Sequence, residues 1–133
     1  MANEATVITL LGNKGDPIEY TIAAGAVIPK GSIMKLTNPQ TAAIATADGD
    51  YIVGVAAEES VATSTFTKLA VLTHGVFDMY STTGMILSRY QKIEGTNAIT
   101  DADDSTVEGL SEVVGLSLET VGATSRGAVL VNL

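Results

Sequence analysis

The sequence predicts an all-β chain, a compact small barrel or sandwich of many short strands with an internal repeat and at most one short helix. Three observations predict it. The chain is self-similar: slid by 61 residues, Tyr51–Gly75 falls on Glu112–Leu133. Val53, Gly54, Glu58, Ala62, Thr63, Ser64, Leu69 and Leu72 then meet Val114, Gly115, Glu119, Ala123, Thr124, Ser125, Leu130 and Leu133. The apolar runs are short, rich in Val, Ile, Leu and Thr, and bounded by turn residues, which suits strands better than helices. Finally, Ile18–Ile22 alternates, with Ile18, Tyr20 and Ile22 on one face and Glu19 and Thr21 on the other.

In chain order, residues 1–17 are an N-terminal arm or first strand, free to move, and 18–133 form a single β-rich domain. Thr6–Leu11 (TVITLL) has β composition but borders a small polar tail. It either forms a first hairpin with Ile18–Ile22 across the turn Gly12–Pro17, or waits for a partner outside the domain. Ala24–Lys30 connects to a strand at Gly31–Leu36. Asn38-Pro39 is a turn, Ala42–Ala47 a small-residue strand, and Asp48-Gly49-Asp50 a tight turn. Each repeat copy then has one apolar run (Ile52–Ala57, Val113–Leu118), a small-residue turn and a second run (Phe66–Thr73, Ala128–Leu133). The glycine inside each first run suits a bulge or a close backbone crossing, with turn geometry the simpler account. Val76–Tyr80 is a strand, and Met85–Ile93 holds one or two more. Thr96–Gly109, the most acidic segment, is a surface excursion, with a short helical turn admissible at Ser105–Glu112.

A chain of 133 residues is one domain by length. It has no cysteine, hence no disulfides or thiolate metal sites. With 5% aromatics and no Trp, its core must be aliphatic and thin, and oligomerisation would complete it. The net charge of −8 repels phosphate backbones and anionic membranes, so neither nucleic acid nor membrane is an expected partner. No run approaches the roughly 18 apolar residues a membrane span needs. The N-terminus MANEATV has neither a basic nor an apolar signal region.

Catalytic chemistry finds no foothold. His74 is the sole histidine, in a Thr73-His74-Gly75 context that reads as a strand ending at a turn, where histidine is polar filler. Asp101, Asp103, Asp104 and Glu108 begin like a calcium loop, but Ser105 fails the fifth position and Thr106 replaces the turn glycine. Glu58 and Glu119 recur by repeat symmetry, as strand-end residues facing solvent. Neither catalytic residues, a metal site nor a cofactor is expected.

The series Ile18-Glu19-Tyr20-Thr21, Gly25, Gly31-Ser32-Ile33-Met34-Lys35-Leu36, Ile52-Val53-Gly54-Val55-Ala56 and Gly75-Val76-Phe77-Asp78-Met79 resembles the capsid decoration proteins of tailed phages. It is similar to the lambda-type head-stabilising proteins and their broader relatives. The resemblance covers Ile18–Tyr80 and, more thinly, Val114-Gly115-Leu116-Ser117 and Val129–Leu133; the acidic stretch Asp101–Glu108 departs from the shortest family members. It implies a structural, non-enzymatic virion protein, made in the host cytoplasm. Such a protein binds the outer surface of an icosahedral head as a homotrimer and stabilises it against internal DNA pressure. Its partners would be the major capsid protein and its own copies. On that reading Thr6, Val7, Ile8, Thr9 and Leu10 are the capsid-binding residues, pairing with a capsid sheet and filling its pockets. A different class, a β-sandwich adhesion or carbohydrate-binding module, lacks the Trp platforms that sugar rings stack on.

Overall fold

The computed structural model describes residues 3–9, 17–102 and 112–133. Leu10, the turn Gly12–Asp16, the calcium-like positions 103–108 and the helical turn proposed from Ser105 lie outside the described residues. Within them the chain forms strands and no α-helix: β1 (Thr6–Thr9), β2 (Ile18–Thr21), β3 (Ile33–Asn38), β4 (Thr41–Ile44), β5 (Ile52–Ala56), β6 (Lys68–Leu72), β7 (His74–Ser81), β8 (Tyr90–Gly95), β9 (Ala98–Asp101), β10 (Val113–Ser117) and β11 (Ser125–Asn132).

These strands close into two rings. The order β2-β4-β3-β5-β6 returns to β2, and β7-β11-β10-β8-β9 returns to β7, with β1 added outside on β7. Five strands cannot alternate in direction all the way round a ring, so one neighbouring pair must run parallel. It is β2–β4 in the first barrel and β7–β9 in the second. Closure pairs the backbone that an open sheet would leave at its edges.

The second barrel is the first built again, with the same pairing register. Met34 lies opposite Gly54 and Lys35 opposite Ile52; Gln91 lies opposite Gly115 and Lys92 opposite Val113. Val53 and Val114 are thus the same extra bulged residue. The β3–β4 and β8–β9 hairpins each turn on a left-handed amide residue, Gln40 and Asn97, both at φ 53°. Spacing between equivalent residues drifts: 59 from Gly25 to Gly84, 57 from Gln40 to Asn97, 61 from Gly54 to Gly115, 58 from Leu72 to Leu130. The slide of 61 therefore holds through Glu58 and Glu119 and fails beyond the next turn, which is three residues shorter in the second copy. Val55 faces Leu72 as Leu116 faces Leu130, so Leu72 matches Leu130 rather than Leu133, and Leu69 falls on Gly127.

Several expectations are corrected. β1 does not pair with β2, whose two sides are taken by β6 and β4; it lies antiparallel on β7, with Thr6 opposite Asp78. Gly54 and Gly115 are not turn residues but close crossings. A Cβ on Gly54 would stand 2.2 Å from the Leu72 carbonyl oxygen, and one on Gly115 would stand 2.4 Å from that of Leu130. The acidic excursion begins with a barrel strand, because β9 buries Ala98 and Ile99 before the acidic residues start. His74 does not end a strand at a turn: it opens β7 one residue after β6 ends, exposed and opposite Asn132. Nor is the core purely aliphatic. Phe77, Met34, Met79 and Met85 are among its largest fully buried side chains, the flexible methionines filling what small residues leave open.

The two barrels share a joint. Ile33, Ile52 and Val55 of the first belong to the same buried cluster as Phe77, Ile93, Val114 and Val131 of the second. Its polar contacts come from the β8–β9 hairpin. Asn97 Oδ1 accepts the Ile33 N–H at 2.9 Å, its Nδ2 reaches Ser32 Oγ at 3.5 Å, and Lys92 Nζ meets Asp48 at 3.0 Å. A second set, Ile22, Ile28, Met34, Ala42, Ala56, Leu69 and Val71, fills the first barrel.

The turn after β4 is held by Asp50, whose Oδ2 accepts the N–H groups of Thr46 (2.9 Å) and Ala47 (3.0 Å) and faces Lys35 Nζ at 3.5 Å. Burial disfavours its charge, but the two backbone donors and the Lys35 ammonium together outweigh that and hold the carboxyl below its ordinary value. A depressed carboxyl stabilises the fold above its unfolded value of 3.8, and the contribution fades as pH falls through the lower folded value. Asp50→Asn is therefore expected to cost about 1 kcal/mol at neutral pH. Urea midpoints of the two proteins should converge below about pH 4; a gap unchanged at pH 3 would show that the charge is irrelevant.

Candidate interaction surfaces

The N-terminal segment straps the two barrels together. The Ala5 N–H donates to the Gly31 carbonyl in the first barrel at 2.7 Å, and Ala5 is buried in the joint cluster. Gly31 sits at φ 89°, and a Cβ there would lie 2.1 Å from the Ala5 oxygen, so the strap needs glycine beneath it. From the second barrel, Arg126 Nε reaches Asp78 Oδ2 at 2.7 Å, and its Nη2 donates to the Asp78 carbonyl at 2.8 Å and to the Glu4 carbonyl. One guanidinium thus ties β11, β7 and the strap, using the fork geometry that lysine lacks.

Of the residues singled out for capsid contact, Thr6–Thr9 form β1. Thr6, Val7 and Ile8 are exposed, Val7 at 44% and Ile8 at 54%. β1 is the terminal strand of its sheet, so among the described residues its outer edge has no partner strand. An edge strand carrying exposed β-branched side chains is a template for a further strand.

A second apolar surface, which the sequence reading placed inside a strand region, lies on the second barrel. Ile86, Leu87, Tyr90 and Leu118 are all 41–55% exposed. Their signal in the sequence is the Met85-Ile86-Leu87 run: Met85 bridges to Val121 and is buried, leaving its two neighbours outside. The turn carrying them is fixed from within the barrel. The Ser117 hydroxyl donates to the Ile86 carbonyl and accepts the Arg89 N–H at 3.1 Å. Asp101 Oδ1 accepts both the Ile86 N–H (3.2 Å) and Gln91 Nε2 (2.7 Å), and Arg89 stands 3.9 Å from its other oxygen. Ser117, Gln91 and Asp101 occupy the places of Ala56, Met34 and Ile44 in the first barrel. That barrel instead has an apolar groove of about 470 Å³ beside its hairpin, lined by Val27, Thr37, Thr41, Ala42 and Ile44.

The remaining candidates stay apart. Glu58 and Glu119 each accept a backbone N–H of the neighbouring strand, from Ala70 and Ala128, both at 2.9 Å. They are the same structural latch in the two barrels. Asp101 is committed to the turn above. Among the described residues no three His, Asp or Glu side chains converge as metal ligands would. No protein-family model and no curated protein sequence matches the chain.

Proposed function

We propose that this is a structural virion protein. It binds the outer surface of a tailed-phage icosahedral capsid as a homotrimer, stabilises the mature head against the pressure of packaged DNA, and catalyses nothing. The observation that supports the reading most directly is β1: the terminal strand of its sheet among the described residues, with Val7 and Ile8 exposed, anchored to both barrels. A strand of the major capsid protein added to that edge would pair its free backbone groups, while Val7 and Ile8 enter apolar pockets. Since β1 is already paired on one side, attachment needs little new ordering, unlike the capture of a free arm. A ligand that binds only the mature shell stabilises it by about 2.7 kcal/mol per site at a hundred times its dissociation constant. The net charge of −8 suits an outer face that does not capture the packaged DNA.

The test is to mix the protein with emptied, expanded phage heads and image them. Full coating by the wild type is expected, with density at three-fold positions. The double variant Val7→Glu, Ile8→Glu should keep its melting temperature but lose roughly tenfold or more in occupancy. Coating by the double variant at full occupancy would remove β1 from the contact, and heads left bare by the wild type would sink the reading.

A further inference from the structure

The joint between the barrels is made from two different faces, and each barrel owns both. The first barrel contributes the start of β3; the second contributes its β8–β9 hairpin and the start of β10. Because the barrels share one register, the unused counterpart of each face can be found residue by residue. Ile33 and Ser32 are buried at the joint; their counterparts Tyr90 and Arg89 are exposed, Tyr90 at 55%. In the other direction, Ile93, Asn97 and Glu112 are buried, while their counterparts Leu36, Gln40 and Tyr51 are exposed, Tyr51 at 58%.

We propose that these two unused faces bind each other between chains. The partner is a second copy of this protein, joined head to tail: the Arg89 and Tyr90 face of one copy meets the Leu36, Gln40 and Tyr51 face of the next. The molecule already joins the counterparts of these two faces once, inside each chain. Gln40 stands at the same left-handed hairpin position as Asn97, with an amide one methylene longer, so it can repeat toward Tyr90 the hydrogen bond that Asn97 makes to Ile33. Tyr90, Leu36 and Tyr51 are exposed and large, and tyrosine is enriched in the cores of interfaces. Two different faces give a heterologous contact, which closes into a ring if the rotation allows. Three chains joined so would present six barrels in one ring. The inference deepens the trimer proposed above, but it rests on the repeated fold and not on the capsid.

The chain has no cysteine, so a disulfide can report the contact. Arg89 and Gln40 are the counterparts of Ser32 and Asn97, whose side chains meet across the internal joint. A protein carrying both Arg89→Cys and Gln40→Cys is expected, on mild oxidation, to give covalent oligomers. Each single variant should stay monomeric on a denaturing gel, whereas an equal mixture of the two should give a covalent dimer and nothing larger. Efficient self-linking of either single variant would indicate a two-fold contact and overturn the proposal, as would a failure of the mixture to link. Without cross-linking, Tyr90→Arg and Tyr51→Arg should each be monomeric, with unchanged melting temperatures, and should form a 1:1 dimer when mixed. A wild type still monomeric by light scattering at about 100 µM would also overturn it, since a stable interface of ordinary size forms well below that. A chain that links this way yet leaves phage heads bare would sink only the capsid reading.

Discussion

Gly54→Ala and Gly115→Ala are each expected to destabilise the protein by about 3 kcal/mol or more, a large fraction of the stability of an ordinary domain. The added methyl would have to occupy space 2.2 Å from the Leu72 carbonyl oxygen in one case and 2.4 Å from the Leu130 carbonyl oxygen in the other. In both, the obstruction is backbone of the facing strand, with a valine Cγ1 (Val71 or Val129) at 2.7 or 2.8 Å behind it, so no side-chain rotation relieves the clash. Gly54 adds a second penalty, since its φ of 144° is one that residues with a Cβ avoid. Circular dichroism during urea unfolding would measure the loss. A variant with a midpoint near that of wild type would mean that the strands can part at the bulge, and that the repeated glycine is not a packing requirement.

Phe77→Ala should cost about 3–5 kcal/mol, whereas Ile18→Ala should cost under about 1. The two residues hold the same place in the two barrels, opposite Val129 and Val71. Their surroundings differ: Phe77 is fully buried in the cluster that runs through the joint, while Ile18 is 48% exposed. Removing the ring leaves a cavity that close-packed neighbours cannot fill; removing the Ile18 side chain leaves solvent. Thermal and urea unfolding of the two variants side by side would check this. Equal losses would imply that Ile18 is covered in the protein in solution, by another copy or another segment.

The strands were legible because their runs carry the period and their ends carry Gly, Pro, Asn and Asp. The repeat was legible only where chemistry forces identity: the crossing glycines Gly54 and Gly115, and the latches Glu58 and Glu119. Elsewhere the barrels keep shape while changing residue type, with Met34 against Gln91, Ile44 against Asp101 and Ile28 against Met85. A fixed slide also misses spacings that drift from 57 to 61 as turns lengthen and shorten. β9 was hidden because its short Ala98–Asp101 run leads straight into the acidic stretch. The place of β1 on β7 could not be read at all, since pairing across so much chain leaves no local mark. The apolar faces were visible as residues but not as surfaces. Ile33 and Tyr90 look alike in sequence, and only the joint makes one of them core.

The strap has a consequence for how the molecule is made. Thr6 meets Asp78 across 72 residues and Glu4 meets Arg126 across 122, so β1, made before β2–β11, is among the last strands to be placed. At roughly 5–20 residues per second, the segment waits on the order of ten seconds while the first barrel and then β7 emerge. Arg126 is synthesised 122 residues after Glu4. A nascent chain cut short before that point lacks both the guanidinium that grips Glu4 and Asp78 and the strand that flanks β7. The N-terminal strand therefore acts as a late lock on synthesis, closing only on chains complete enough to carry the second barrel.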